Sequence, residues 1–133
     1  MKISASVISS KGDHQVQVRT GATSQSLDIP PKATGDGSAV NGGELLMLAL
    51  ATCYCNDVYR EAKRLQIPIE GIEVQAEADF EGIGLAASNI RYRARVLSSA
   101  GDTAIADLLR QTDAVAEIHN TVRSGVPVRL DLD

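Results

Sequence analysis

Leu45-Leu46-Met47-Leu48-Ala49-Leu50-Ala51 is an unbroken apolar run placed just after a helix-start signal. Asn41 with Glu44 three residues on has the pattern of a capping box, in which each side chain takes up a free backbone N–H of the other. A helix that begins there has no polar side over its first half and must be covered all round. Past Cys55, the residues Asp57, Arg60, Glu61, Lys63 and Arg64 offer a face able to meet water, and the helix ends before Pro68. The expectation is one long helix with a buried first half and a surface second half. With 133 residues the chain is read as a single domain, 1–133. Aromatics are only 3% and Trp is absent, so Leu, Ile, Val and Ala fill the core, and such a subunit is expected to borrow cover from a partner.

Elsewhere the period is two. Lys2 to Val7 and Gln15 to Val18 alternate around Lys11-Gly12-Asp13 and read as a hairpin, with a third extended run from Ser26 to Ile29 stopped by Pro30-Pro31. From Ile72 to Phe80 the alternation is strict, with Ile72, Val74, Ala76, Ala78 and Phe80 on one face and Glu73, Gln75, Glu77 and Asp79 on the other. Ile90, Tyr92, Ala94 and Val96 repeat the pattern. Arg91, Arg93 and Arg95 can then lie across from the acids of an antiparallel neighbour, as a solvated sheet face rather than an arginine-rich binding site. Helices are predicted from Asp102 or Thr103 to about Arg110 and from Thr112-Asp113 to about His119, and a last strand from Val126 to Leu132. The class is α+β.

A net charge of -4 gives no broad attraction to phosphate backbones, so no nucleic-acid partner is expected. Polar residues interrupt the apolar ones after Met1-Lys2, and no run approaches the roughly 18 apolar residues of a membrane span. The reading is a soluble, cytoplasmic protein with no membrane partner, in which two cysteines are free thiols.

Cys53 and Cys55 point about 200° apart around a helix axis, so they neither bridge nor converge on an ion. No metal site is expected, and no histidine has a suitable spacing. His14 is read as a surface residue of the first hairpin, and Gly82-Ile83-Gly84 as a loop without the context of a dinucleotide fingerprint. Asp57, one turn after Cys53, would raise the thiol pKa if it were close and ionised, and as a charged residue it is assigned a structural place on the exposed half of the helix.

Asn41-Gly42-Gly43-Glu44-Leu45-Leu46 and the small, apolar run up to Cys53 resemble the Asn-Pro-Glu-Glu-Leu-Leu segment and peroxidatic Cys of the OsmC/Ohr superfamily. Ile67-Pro68-Ile69-Glu70-Gly71-Ile72-Glu73-Val74 with its arginine-bearing successor resembles that family's central hairpin, and Ile118-His119-Asn120-Thr121 its second-site motif. The resemblance implies an OsmC-like fold, with antiparallel sheets wrapped around a long central helix, in an intertwined homodimer whose sites lie at the subunit boundary. It implies Cys53 as the catalytic, peroxidatic thiol of a hydroperoxide reductase that needs no cofactor beyond an external thiol. Two positions depart from the family. Its resolving Cys falls on Ala116, and the Glu that orients its activating Arg falls on Gly43, while Arg19 and Lys32 are both available as the cation. His119-Asn120-Thr121 is read as closing a helix and shaping the site, with Asn and Thr satisfying nearby backbone. The alternative function is a non-catalytic dimer that binds a small apolar or sulfur-containing ligand.

Overall fold

Alternation in the first quarter of the chain becomes a three-stranded antiparallel meander of β1 (Ile3–Ser10), β2 (Asp13–Thr20) and β3 (Thr23–Leu27), in the order β1-β2-β3. The reversals fall at Gly12 and Gly21, both in the left-handed region, where glycine carries no Cβ penalty. The second sheet pairs β4 (Gly71–Asp79) with β5 (Ser88–Leu97), antiparallel. The helices are α1 (Gly42–Leu65), α2 (Asp102–Val115) and α3 (Glu117–Ser124). This computed structural model describes residues 1–132, in two compact units, the first Met1–Leu45 and the second from Leu46 onward.

In the first unit the capping box forms as expected. The Asn41 backbone N–H donates to Glu44 Oε2 at 2.8 Å, and the Glu44 N–H to Asn41 Oδ1 at 2.9 Å. His14 departs from expectation, being half-buried with no hydrogen-bond partner at either ring nitrogen.

The second unit has its core where α1, α2 and the β4–β5 sheet meet. Tyr54, Val58, Ala62, Leu108 and Ala116 are buried there, against Ile72, Val74, Tyr92, Ala94 and Val96 from the apolar sheet face. Fully burying Val58 and Leu108 contributes about 1.5–3 kcal/mol each. The opposite face carries the paired charges foreseen from the sequence. Glu73 lies across from Arg95, Gln75 from Arg93 and Glu77 from Arg91, with Arg91 Nη2 3.0 Å from Glu77 Oε1. Both of those side chains are exposed, so the ion pair contributes under about 1 kcal/mol.

Three expectations are corrected. In α1 the second half is not a surface, since Asp57, Val58, Glu61 and Ala62 are buried along with Leu50 and Tyr54, while Leu48 in the first half is 59% exposed in the single chain. Asp57 and Glu61 tolerate burial because Arg60 and Arg64 reach them, at 2.8 Å for Arg60–Asp57 and 2.6 Å for Arg64–Glu61. The break between the last two helices falls at Ala116, which is extended at φ -74°, ψ 104°, so α2 runs past Arg110 to Val115 and α3 begins at Glu117. Val126 to Leu132 forms no strand among the described residues. Its alternate apolar side chains stand in solvent, Val128 at 99% and Leu130 at 81% exposure, because a strand needs a second backbone for its ladder.

Candidate functional site

Around Cys53 the sequence of α1 sets the geometry. Residues 53, 57 and 60 stand four and three apart, so a helix stacks them on one face. Cys53 Sγ donates to Asp57 Oδ2 at 3.4 Å, and Asp57 Oδ1 lies 2.8 Å from Arg60 Nη1. From α3, Glu117 Oε1 approaches the same guanidinium at 3.6 Å. The sulfur and one oxygen from each of Asp57 and Glu117 fall within 4.8 Å of one another, a convergence that the two-sulfur spacing did not foresee. Arg60 supplies one positive charge that Asp57 at 2.8 Å shares with Glu61 at 3.3 Å and Glu117 at 3.6 Å, so the cluster reads as carboxylates gathered on a guanidinium.

Burial is the largest influence on the Cys53 thiol and raises its pKa. A backbone hydrogen bond from Ile118 pulls it down, while the hydrogen bond to Asp57 and the charges of Asp57 and Glu117 add to the rise. The Asp57 carboxyl is also pushed up, first by burial, with Cys53 and Arg60 opposing and Glu117 assisting. In this environment the resting sulfur is a thiol.

Cys53 and Cys55 are both free and half-buried on different sides of α1. Ala116 is fully buried at the α2–α3 junction, two residues before the Ile118 backbone that bonds Cys53. Gly43 sits in the first turn of α1. Arg19 lies on β2 opposite Ser4 and Ser24, and the Lys32 N–H donates to Gly37 O at 2.9 Å in the loop after β3. His119 is 3% exposed and does not bond Cys53. Its ring lies among Tyr54 and Tyr92, with centroids 5.6 and 4.3 Å away, and neither nitrogen has a partner. Asn120 Nδ2 donates to Ala114 O at 3.1 Å and Thr121 Oγ1 to Glu117 O at 2.7 Å, so both tie local backbone as expected, but His119-Asn120-Thr121 does not close a helix, because α3 runs on to Ser124. Leu50, Ile90, Tyr92, His119 and Val122 line a cleft of about 340 Å³.

Residues 35–131 match the family described as OsmC-like protein. The chain belongs to the OsmC-like family. No curated protein sequence matches it. Among solved structures, this OsmC-like chain is similar to an organic hydroperoxide resistance protein OsmC from Legionella pneumophila at 17% identity, covering 97% of this chain and 94% of that one, with a TM-score of 0.63. An OsmC-like protein from Mycoplasma pneumoniae gives 20% identity, 92% and 86% coverage and a TM-score of 0.63. An organic hydroperoxide resistance protein from Elizabethkingia anophelis gives 17% identity, 92% and 89% coverage and 0.63. At these identities the likeness establishes the fold.

Sequence reasoning weighed Asp57 as a neighbour of Cys53 but assigned it a structural, exposed place, and it missed Arg60 and Glu117 in this OsmC-like site. The four-and-three spacing on α1 carried a signal for Asp57 and Arg60. Nothing local pointed to Glu117, which only the α2–α3 break brings round.

The buried imidazole has a measurable consequence. Burial first, then the Arg123 charge, lower the His119 pKa, while Asp113 and Asp57 oppose. Its folded pKa lies below the unfolded value near 6.5, so its contribution to stability is present above about pH 6.5 and is lost as pH falls below it. Denaturant titrations between pH 7 and 5 should show His119→Phe losing less stability than the unmodified protein. Parallel profiles would show that His119 titrates normally.

Proposed function

We propose that the protein reduces organic hydroperoxides, with Cys53 as the attacking thiol and an external thiol as the reductant. The observation that carries this reading is the position of Cys53, a free, half-buried thiol on α1 beside the start of α3, where the Ile118 backbone lowers its pKa. Family membership and the hydroperoxide resistance proteins among its structural relatives support it. Sulfur attacks the terminal peroxide oxygen, giving a sulfenic acid and an alcohol. An external thiol then forms a mixed disulfide with loss of water, and a second thiol releases Cys53. With Ala116 in place of a resolving cysteine, the external thiol has to attack the sulfenic acid directly. The reading also includes a homodimer wrapped around paired α1 helices. A reducing, cytoplasmic setting suits two free thiols. No helix among the described residues is long and apolar enough to cross a membrane.

The second reading is a non-catalytic dimer that binds a small apolar or sulfur-containing ligand. It is favoured by the two carboxylates beside the thiol and by the cleft in which Leu50, Ile90 and Val122 stand beside Asn89, His119 and Arg123. Steady-state consumption of cumene hydroperoxide separates the two. The first reading expects turnover that rises in proportion to added dithiothreitol, with no Cys53–Cys55 disulfide in peptide maps. Peroxide loss no faster than with the thiol alone would favour the binding protein.

A further inference from the structure

Asp57 touches the Cys53 sulfur through one carboxylate oxygen and a guanidinium through the other. Oδ2 is 3.4 Å from Sγ, Oδ1 is 2.8 Å from Arg60 Nη1, and the residue is only 5% exposed. A buried carboxylate works against a resting thiolate, because the two negative charges repel. It suits a thiol that surrenders its proton only while it reacts.

We propose that Asp57 is the proton shuttle of Cys53, taking the thiol proton as sulfur attacks a peroxide and delivering it to the departing alkoxide. The inference rests on the reading of Cys53 as the peroxide-reducing thiol. The sulfur lone pair forms the S–O bond, the O–O bond breaks, and its electron pair leaves on the alkoxide oxygen. Cys53 is oxidised to a sulfenic acid and the hydroperoxide is reduced to an alcohol. The proton passes from Sγ through Oδ2 to the alkoxide, and Asp57 ends as the carboxylate it began as.

Arg60 is a positioning residue in this scheme. Its hold on Oδ1 leaves Oδ2 facing the sulfur, and it also reaches the exposed Glu117 at 3.6 Å. The groups facing Asp57 are thus Cys53 and Arg60 from α1 and Glu117 from α3. The burial that raises the Asp57 carboxyl brings its proton affinity closer to that of a working acid–base group near neutral pH.

The test uses two reactions of one sulfur in the full chain. Single-turnover oxidation of Cys53 by cumene hydroperoxide generates an alkoxide that must be protonated, whereas alkylation by iodoacetamide releases iodide, which needs no proton. Removing the Asp57 charge frees the thiolate, so Asp57→Asn should alkylate faster at Cys53 yet oxidise about 100-fold more slowly, the scale of a lost acid–base group. Asp57→Glu should recover part of the oxidation rate. If Asp57→Asn speeds both reactions, or leaves both unchanged, Asp57 is only an electrostatic neighbour and the inference is wrong. Should the Asn variant not fold, the unmodified protein in D2O decides. Oxidation slowed more than alkylation supports the shuttle, and equal slowing overturns it. Failure of Cys53 to oxidise in the unmodified protein would instead overturn the proposed function, and the shuttle with it.

Discussion

On the proposed homodimer, Leu48→Arg is expected to leave a monomer of reduced stability. Leu48 lies in the apolar first half of α1, yet over half of its surface stands open. Val128 and Leu130 are more exposed still. Stable interfaces bury about 1,200–2,000 Å² in total, and such open apolar surface is the material for one. An arginine within such an interface would become an unpaired buried charge, costing about 3–5 kcal/mol, or more than 100-fold in the dissociation constant. Sedimentation of the unmodified protein should show two chains at micromolar concentration, with a melting temperature that rises with protein concentration. A stable monomer at those concentrations would remove the dimer from the account.

Cys53→Ser is expected to abolish peroxide turnover at every thiol concentration. Serine is close in size and keeps a hydrogen-bond donor toward Asp57 Oδ2, so the Asp57–Arg60 pair should persist and stability should change by under about 1 kcal/mol. A hydroxyl has neither the nucleophilicity of sulfur nor an oxidation state to cycle through. Cys55→Ser should retain turnover, because that residue lies on another side of α1 with no hydrogen bond to the cluster among the described residues. Full activity in Cys53→Ser would move the chemistry elsewhere.

The parts of the fold legible in the sequence were those decided by neighbours along the chain. Strict alternation from Ile72 to Ala78 fixed which face of β4 packs, although Phe80 falls beyond the strand and stands exposed, and the arginines of β5 fell opposite its polar side chains because register follows the apolar face. Asn41 and Glu44 announced the start of α1 for the same local reason. The break at Ala116 carried no glycine or proline to betray it. Val126 to Leu132 has the pattern of a strand, but pattern supplies side chains and not the second backbone that makes a ladder. At the site, Cys53 stood out through family resemblance. Asp57 was set aside because charge was taken as exposure, an inference that fails when an arginine three residues on neutralises a buried acid.

The most direct test of a peroxide-reducing Cys53 is stoichiometric. The reduced protein is mixed with one equivalent of cumene hydroperoxide, a sulfenic-acid trap is added, and the modified peptide is mapped by mass spectrometry. The account predicts one equivalent of cumyl alcohol and a trapped adduct on Cys53 alone, absent from Cys53→Ser. Unmodified Cys53 alongside unconsumed peroxide would contradict it.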